Sequence, residues 1–340
     1  MPPRSKTRQI LLVILDQKLA AGDVIVLDGA IGTEIARIGG AMDSAAWCAV
    51  ANKTHPDSVR HVHESYLQAG ADIITTNTFA ACRHVLVGAD LGDETIAINR
   101  RAVELARQAR DNVAPSRPVA IAGSMSTTFA WAPNSMSPDP RFLPTVEQET
   151  ANYREMAETL AEAGCDFLLM EMMGDIDRAR RVTEAAIATG LPVWVGLTCS
   201  RQANGAIIGF DMENIPPFDE LNTLIGPESP PFDAVIDGLI DLDIQVFGVM
   251  HSKIANTTPG LKILHHHWSG PVMAYPETAV FDAVDKSGAS SITPVEFAEH
   301  CRGWVESGVQ IIGGCCGTTI EHIRAMVNQL PTRPGRPVRH

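Results

Sequence analysis

The chain has 340 residues, 45% hydrophobic and 20% charged, which is an ordinary soluble composition and room for one large α/β domain or two smaller ones. Its formal net charge of −13 argues against nucleic acid and anionic membrane surfaces as partners. The apolar run Ile10 to Leu15 near the start is too short to span a bilayer. Arg4, Lys6 and Arg8 precede that run, but Asp16 and Lys18 end it and no small-residue cleavage pattern follows, so it does not read as a signal peptide. The seven cysteines, an odd number without a secretory signal, point to free thiols in a reducing cytoplasm rather than to a disulfide framework. A homo-oligomer stays open.

Residues 1–23 read as an N-terminal extension, a basic tail followed by a short helix over 9–20 that covers one end of the fold. Residues 24–29, Val-Ile-Val-Leu-Asp-Gly, form a continuous apolar run ended by Asp-Gly, the pattern of a strand covered on both faces. The pattern recurs at 72–77, 118–124, 167–171, 192–198, 244–250, 271–275 and 309–313. Helical segments precede these runs at 58–69, 94–112, 146–163, 176–189, 232–242, 254–264 and 294–307, and another helix starts near Ile320. Eight strands alternating with helices predict a single (β/α)8 TIM barrel over 24–330, with 331–340 as a tail. An open doubly wound sheet is the alternative. Asp28-Gly29-Ala30-Ile31-Gly32 lacks the Gly-x-Gly-x-x-Gly spacing of a dinucleotide site.

Two stretches break the rhythm. Residues 129–144 hold Pro133, Pro138, Pro140 and Pro144, and residues 202–231 are rich in Gly, Asn and Pro. Both follow strands, so a barrel places them at its carboxyl-end rim, as lids, walls of a donor pocket or plain surface insertions. Polar residues also fall where strands end: Asp28, Asn77, Ser124, Glu171, Cys199, His251, Cys315 and Cys316. In a parallel barrel these converge on one face. Carboxylates such as Asp28 and Glu171 can bind an ammonium group, and the backbone amides of the first loop, at Gly29 and Ala30, can bind a carboxylate. Together they suit an amino acid.

The most informative stretch is Ile311-Ile312-Gly313-Gly314-Cys315-Cys316-Gly317-Thr318-Thr319. A strand runs into a glycine-lined turn that carries two adjacent thiols, and Thr318 or Thr319 can cap the next helix. A lone buried cysteine reads as a small hydrophobe. A vicinal pair framed by three glycines reads as ligands for a soft metal such as zinc. His251, at the end of the sixth strand, is either a third ligand, making a Cys₂His site with one open position, or a hydrogen-bonded rim histidine. His265-His266-His267 precedes the seventh strand, at the end away from the rim, and reads as no metal site. His61, His63 and Tyr66 lie on a helix as packing or surface residues. Cys48, Cys82, Cys165 and Cys301 read as packing.

These motifs resemble the zinc-dependent homocysteine S-methyltransferases, a group that includes betaine–homocysteine and S-methylmethionine-dependent enzymes. The resemblance runs from about Val24 to Val327. It is carried by Asp28-Gly29-Ala30-Ile31-Gly32-Thr33-Glu34, by His63 to Asp72 with Thr76-Asn77-Thr78-Phe79, and above all by Gly313-Gly314-Cys315-Cys316-Gly317-Thr318. It implies a TIM barrel, Zn2+ on Cys315 and Cys316, and methyl transfer from a small onium-type or methylated donor to the thiol of homocysteine. It also implies Asp28 and Glu171 as holders of the acceptor's amino group. Two positions depart from the family pattern. His251 stands where the family's third zinc ligand is a cysteine, which supports His251 as the third ligand. Tyr275-Pro276-Glu277 stands where the family has Tyr-Pro-Asn. The departures leave two other classes open: a zinc barrel enzyme acting on a different thiol or amino-acid-like substrate, and a noncatalytic zinc or amino-acid binder.

Overall fold

The computed structural model describes residues 6–133, 137–210, 229–279 and 290–330. Eight parallel strands form one sheet: β1 (Ile25–Val26), β2 (Ile73–Thr75), β3 (Ala120–Ser126), β4 (Phe167–Met173), β5 (Val193–Leu197), β8 (Val246–Lys253), β9 (Val272–Glu277) and β10 (Ile311–Ile312). Their order is β1-β10-β9-β8-β5-β4-β3-β2. A parallel bridge between Leu27 and Ile73 and a bond from Asp72 N to Val26 O (2.7 Å) close the seam between β1 and β2. The expected barrel is therefore the observed one.

Side-chain alternation builds two apolar layers. Ile25, Leu27, Ile73, Phe167, Leu169, Trp194, Val246, Met273, Tyr275 and Ile311 fill the barrel interior. Their neighbours Val26, Ile74, Leu168, Met170, Val193, Val195, Phe247, Val249, Val272 and Ile312 pack outward against the helices. The helix α1 (Lys6–Ala20) caps the amino end of the barrel: Leu11 and Leu15 join the interior layer, and Gln310 Nε2 donates to Leu19 O at 2.7 Å.

The long outer helices are α4 (Pro56–Ala69), α6 (Thr95–Val113), α7 (Val146–Ala163), α8 (Ile176–Ile187), α10 (Ile254–His267), α11 (Pro294–Glu306) and α12 (Ile320–Gln329). Local chemistry sets their ends. Thr145 with Gln148 and Thr293 with Glu296 form capping boxes on α7 and α11, Asp175 caps α8, and Gly70 ends α4 in the left-handed region. Of the two candidates Thr318 and Thr319, it is Thr319 that caps α12.

Several elements differ from the sequence expectation. A seven-residue helix, α2 (Ile31–Arg37), starts directly after the first strand's Asp-Gly-Ala, and the short helices α3 (Ala51–Thr54) and α5 (Arg83–Leu86) follow. The helix α9 (Phe232–Asp237) stops at Gly238, well short of Leu242. An antiparallel hairpin, β6 (Cys199–Arg201) and β7 (Ile207–Gly209), occupies the start of the region expected to be loop. Residues 211–228 of that loop, residues 134–136 of the other, and the 331–340 tail lie outside the described residues. No helix among the described residues is long and apolar enough to cross a membrane.

Candidate metal and substrate site

At the carboxyl end of β10 the chain is stitched between its two neighbours. Gly314 N donates to Asp28 O at 3.0 Å and Cys315 N to Pro276 O at 2.9 Å. Thr278 N and Ala279 N both donate to Cys316 O, and Thr318 Oγ1 donates to Cys315 O at 2.6 Å. Gly317 completes the turn at φ +79°, where a Cβ would lie 2.4 Å from Ala279 N. The backbone conformation and this close approach together require glycine. The two thiols are thereby held side by side, their Sγ atoms 3.9 Å apart.

His251 reaches them by a break in the strand. Val246 and Met250 of β8 face the interior while Phe247 and Val249 face out, so strict alternation would turn residue 251 outward. The register with β9 shifts between Met250 and Lys253, and His251 sits at φ +42°. This bulge brings its Nδ1 to 3.4 Å from Cys315 Sγ. Ligand atoms of His251, Cys315 and Cys316 all lie within 4.8 Å of one another, so the three can hold a metal ion.

Charge is concentrated there. Cys316 is held well below the usual thiol range, first by the S–H of Cys315 and then, against burial, by His251. Cys315 is raised by the same contact and by burial. Burial works against a charge on His251, but Glu277 and the Cys316 thiolate outweigh it and push the imidazole up to about 9. Glu277, the last residue of β9, places Oε2 3.5 Å from His251 Nε2 and Oε1 3.4 Å from Lys253 Nζ. Burial raises the Glu277 carboxyl, and His251 and Lys253 oppose that rise.

The expected substrate residues occupy the same end of the barrel. Asp28 is buried and accepts from Thr75 N (2.8 Å) and Thr75 Oγ1 (3.1 Å). Burial lifts its carboxyl well above the usual range, the Thr75 bonds oppose this, and Glu171 adds to it. Glu171 accepts from Ser124 Oγ and is pushed up to about 7, mainly by burial. Ala30 N donates to Thr318 Oγ1 at 3.3 Å, and Tyr66 donates its hydroxyl to Ala30 O at 3.2 Å, which fixes the Gly29–Ala30 turn. Asn77 turns its amide to the protein: Nδ2 donates to Cys48 O (2.9 Å) and Asn52 Oδ1 (3.2 Å), and Oδ1 accepts from Cys48 Sγ. Cys199, expected at the rim with these residues, instead sits with its Sγ 3.6 Å from Asn256 O at α10.

Tyr275 reads as core in the sequence but sits among these groups. It is buried in the interior layer, its hydroxyl has no hydrogen-bond partner among the described residues, and Glu171, Cys315 and Asp28 all raise its phenol electrostatically after burial itself. Met273, Tyr275 and Glu277 alternate along β9, a period of two that puts Tyr275 on the same face as Glu277, the acidic residue the sequence already marks. Phe79, Trp131 and Phe210, from three different loops, each pack against the interior layer, as Cys315 does, and Trp47 meets Phe79 edge-on at 6.0 Å. Away from the site, His267 Nδ1 pairs with Asp237 at 2.7 Å and His266 Nδ1 with Lys262 O at 2.6 Å, both outside the metal cluster. His63 and Tyr66 are fully buried on α4, and Cys48, Cys82, Cys165 and Cys301 are buried free thiols.

Comparison with known proteins decides the family. The sequence profile described as homocysteine S-methyltransferase matches residues 25–330. The chain belongs to the homocysteine S-methyltransferase family. Among curated relatives, the selenocysteine methyltransferase of Astragalus bisulcatus is 27% identical over 92% of this chain and 94% of its own length. The homocysteine S-methyltransferase of Escherichia coli K12 is 26% identical over 93% of this chain and 97% of its own. Among solved structures, the metallated form of the Escherichia coli homocysteine methyltransferase MmuM superposes with a TM-score of 0.69 at 23% identity, over 93% of this chain and 98% of that one, and shares its fold. A homocysteine S-methyltransferase family member is a methyltransferase of the barrel class, which the strand order independently displays.

Proposed function

We propose that this methyltransferase moves a methyl group from a small onium-type or methylated donor to the thiol of homocysteine, using zinc held by His251, Cys315 and Cys316. The observation that carries this reading is the three-ligand cluster, within 4.8 Å, at the carboxyl-end face of a barrel of this family. The donor set fits zinc. Tetrahedral zinc, with bonds of about 2.3 Å to sulfur and about 2.0 Å to nitrogen, separates two sulfurs by about 3.8 Å and sulfur from nitrogen by about 3.5 Å. The corresponding separations here are 3.9 and 3.4 Å. Three protein ligands leave a fourth position, the architecture of a catalytic rather than a structural site. When bound, zinc supplies Lewis acidity that lowers the pKa of an acceptor thiol.

The chain's own residues do the positioning. Asp28 and Glu171 face the acceptor's ammonium, and the Gly29 amide takes its carboxylate, while the Ala30 N–H, given to Thr318 Oγ1, shapes the turn that presents it. Asn77 acts at one remove, by locking Cys48 and Asn52 to the loop after β2. Phe79, Trp131 and Phe210 wall the mouth on the donor side. Held this way, the acceptor sulfur faces the methyl carbon in line; the new S–C bond forms as the donor's bond to that carbon breaks and its electron pair leaves with the donor. The seven free thiols fit the cytoplasm, where we place the chain.

His251 also favours a second acceptor. An imidazole in place of a thiolate removes one negative charge from the ligand set, which eases ionisation of the acceptor but weakens it as a nucleophile. A selenol is intrinsically more acidic and more nucleophilic than a thiol, and one relative is named for selenocysteine.

The test is metal content and turnover of protein purified without chelator. About one zinc per chain is expected for a single three-ligand site. It should be lost in Cys315→Ala and reduced in His251→Ala, with methyl transfer from a methylsulfonium donor to homocysteine, and separately to selenocysteine, disappearing alongside. A Cys315→Ala variant that keeps both zinc and full turnover would sink the assignment.

A further inference from the structure

The metal-cluster histidine and the last residue of the neighbouring strand meet in space. His251 ends β8 and Glu277 ends β9, and their side chains face each other at 3.5 Å, Nε2 to Oε2. We propose that Glu277 is the positioning residue of the His251 ligand, taking the imidazole Nε2–H and thereby committing Nδ1 to the metal. The inference rests on the reading of His251, Cys315 and Cys316 as the metal centre, and it deepens that reading.

Three observations carry it. First, the two ring nitrogens are already divided: Nδ1 lies 3.4 Å from Cys315 Sγ while Nε2 looks at the carboxylate. A neutral imidazole has one N–H, so an acceptor at Nε2 selects the tautomer whose lone pair is on Nδ1. Second, Glu277 is itself fixed. Lys253 is its register partner across β8 and β9; Lys253 Nζ sits 3.4 Å from Oε1 and donates to Ala279 O at 2.7 Å. Third, the other carboxylate oxygen is uncommitted: Oε2 is buried and has no hydrogen-bond partner among the described residues. A buried acceptor left this way is costly unless it serves a donor, and the nearby imidazole N–H supplies one.

The same logic gives the two residues a shared task. A thiolate ligand has no second N–H and needs no outer acceptor. A histidine on a bulge at φ +42° has a ring that must be oriented, and a carboxylate on the adjacent strand does it. Residues 251 and 277 should therefore be coupled in metal binding, which a merely structural Glu277 would not be.

The experiment measures zinc affinity by competition with a chromophoric chelator on the full chain, in four forms: wild type, Glu277→Gln, His251→Cys, and His251→Cys with Glu277→Gln. Loss of an outer-sphere partner typically weakens metal binding about 10- to 100-fold. Glu277→Gln, which keeps the shape of the side chain but is a poorer acceptor, should weaken zinc by about tenfold in the His251 protein and by less than about threefold in the His251→Cys protein. The visible bands of the cobalt(II)-loaded His251 protein should shift on the same substitution. Glu277→Ala, which removes the acceptor altogether, should lose at least as much affinity as Glu277→Gln. Equal losses in the two backgrounds, or no loss in the His251 protein, would overturn the proposal. Zinc that survives Cys315→Ala would overturn the metal-centre reading beneath it, whereas zinc lost in Cys315→Ala but undiminished in Glu277→Gln would remove only the role given to Glu277.

Discussion

Glu171 and Asp28 place two carboxylates in an apolar barrel mouth, where burial makes each easier to protonate than in water. A cationic group between them reverses that cost, which is the physical reason to expect an ammonium there. Replacing Glu171 by Gln keeps the acceptor for Ser124 but removes the charge. A charge-assisted hydrogen bond is worth about 1.5–3 kcal/mol, so KM for homocysteine should rise roughly 10- to 100-fold. A thiol of the same length without the amino group should be nearly indifferent to the substitution; steady-state kinetics with both acceptors checks this, and equal effects on the two would remove the ammonium contact. Asp28, Glu171, Cys315 and Cys316 were legible in the sequence because each ends an apolar run, and a strand end in a barrel is a defined place. The direction in which His251 points was not legible, because the bulge that turns it inward inverts the alternation a reader would apply. Tyr275 was legible in principle from the period of two along β9, but its aromatic ring reads as core, and most of it is.

Between residue and molecule, the hairpin of β6 and β7 governs one wall of the mouth. Its end lies directly on the loop between β4 and α8: a Cβ on Gly174 would be 2.0 Å from Phe210 O, and one on Gly209 would be 2.7 Å from Gly174 O. Backbone meets backbone there, so neither side can yield by a side-chain rotation. Gly174→Ala should push the hairpin and Phe210 away from the mouth, at a cost of about 1–3 kcal/mol of stability for the overpacking. Because Phe210 is one of the residues proposed to wall the donor side, KM for the methyl donor should rise more than KM for homocysteine. Urea unfolding together with kinetics in both substrates tests this, and an undisturbed donor KM would detach the hairpin from donor binding. The hairpin was invisible in the sequence for a plain reason. Its strands are three residues each around a turn closed by Gln202 N to Ala206 O at 2.9 Å, with Gly205 at φ +88°, and three residues carry no period. The seven-residue α2 escaped for the same reason, while α6, α7 and α11 run long enough for their apolar faces to repeat.

The whole molecule is a closed parallel barrel, and closure is what made its architecture readable: strands covered on both faces must be apolar throughout, so each announces itself as an unbroken run. The same double coverage buries polar groups that the chemistry does not use. His63, on α4, is fully buried, and neither ring nitrogen has a hydrogen-bond partner among the described residues. Burial brings its pKa down from 6.5 to about 4. In the unfolded chain the same imidazole titrates near 6.5. Between those values the unfolded state binds a proton that the native state refuses, so stability falls as the pH drops from about 6.5 to about 4 and is fully present above that window. The span corresponds to roughly 3 kcal/mol. His63→Leu removes the titration and the two orphaned nitrogens while keeping an apolar side chain of similar bulk. At pH 7 the variant should be as stable as wild type or more so by about 1 kcal/mol, since an unsatisfied buried polar group is lost. Its advantage should then widen by roughly 3 kcal/mol by pH 4. Comparing the two proteins cancels every other titrating group, Glu171 and Asp28 included, whose raised values act in the opposite direction in both. Urea midpoints at pH 7, 6, 5 and 4 read the difference directly, and a gap that stays constant across that range would mean His63 is not held neutral by the fold.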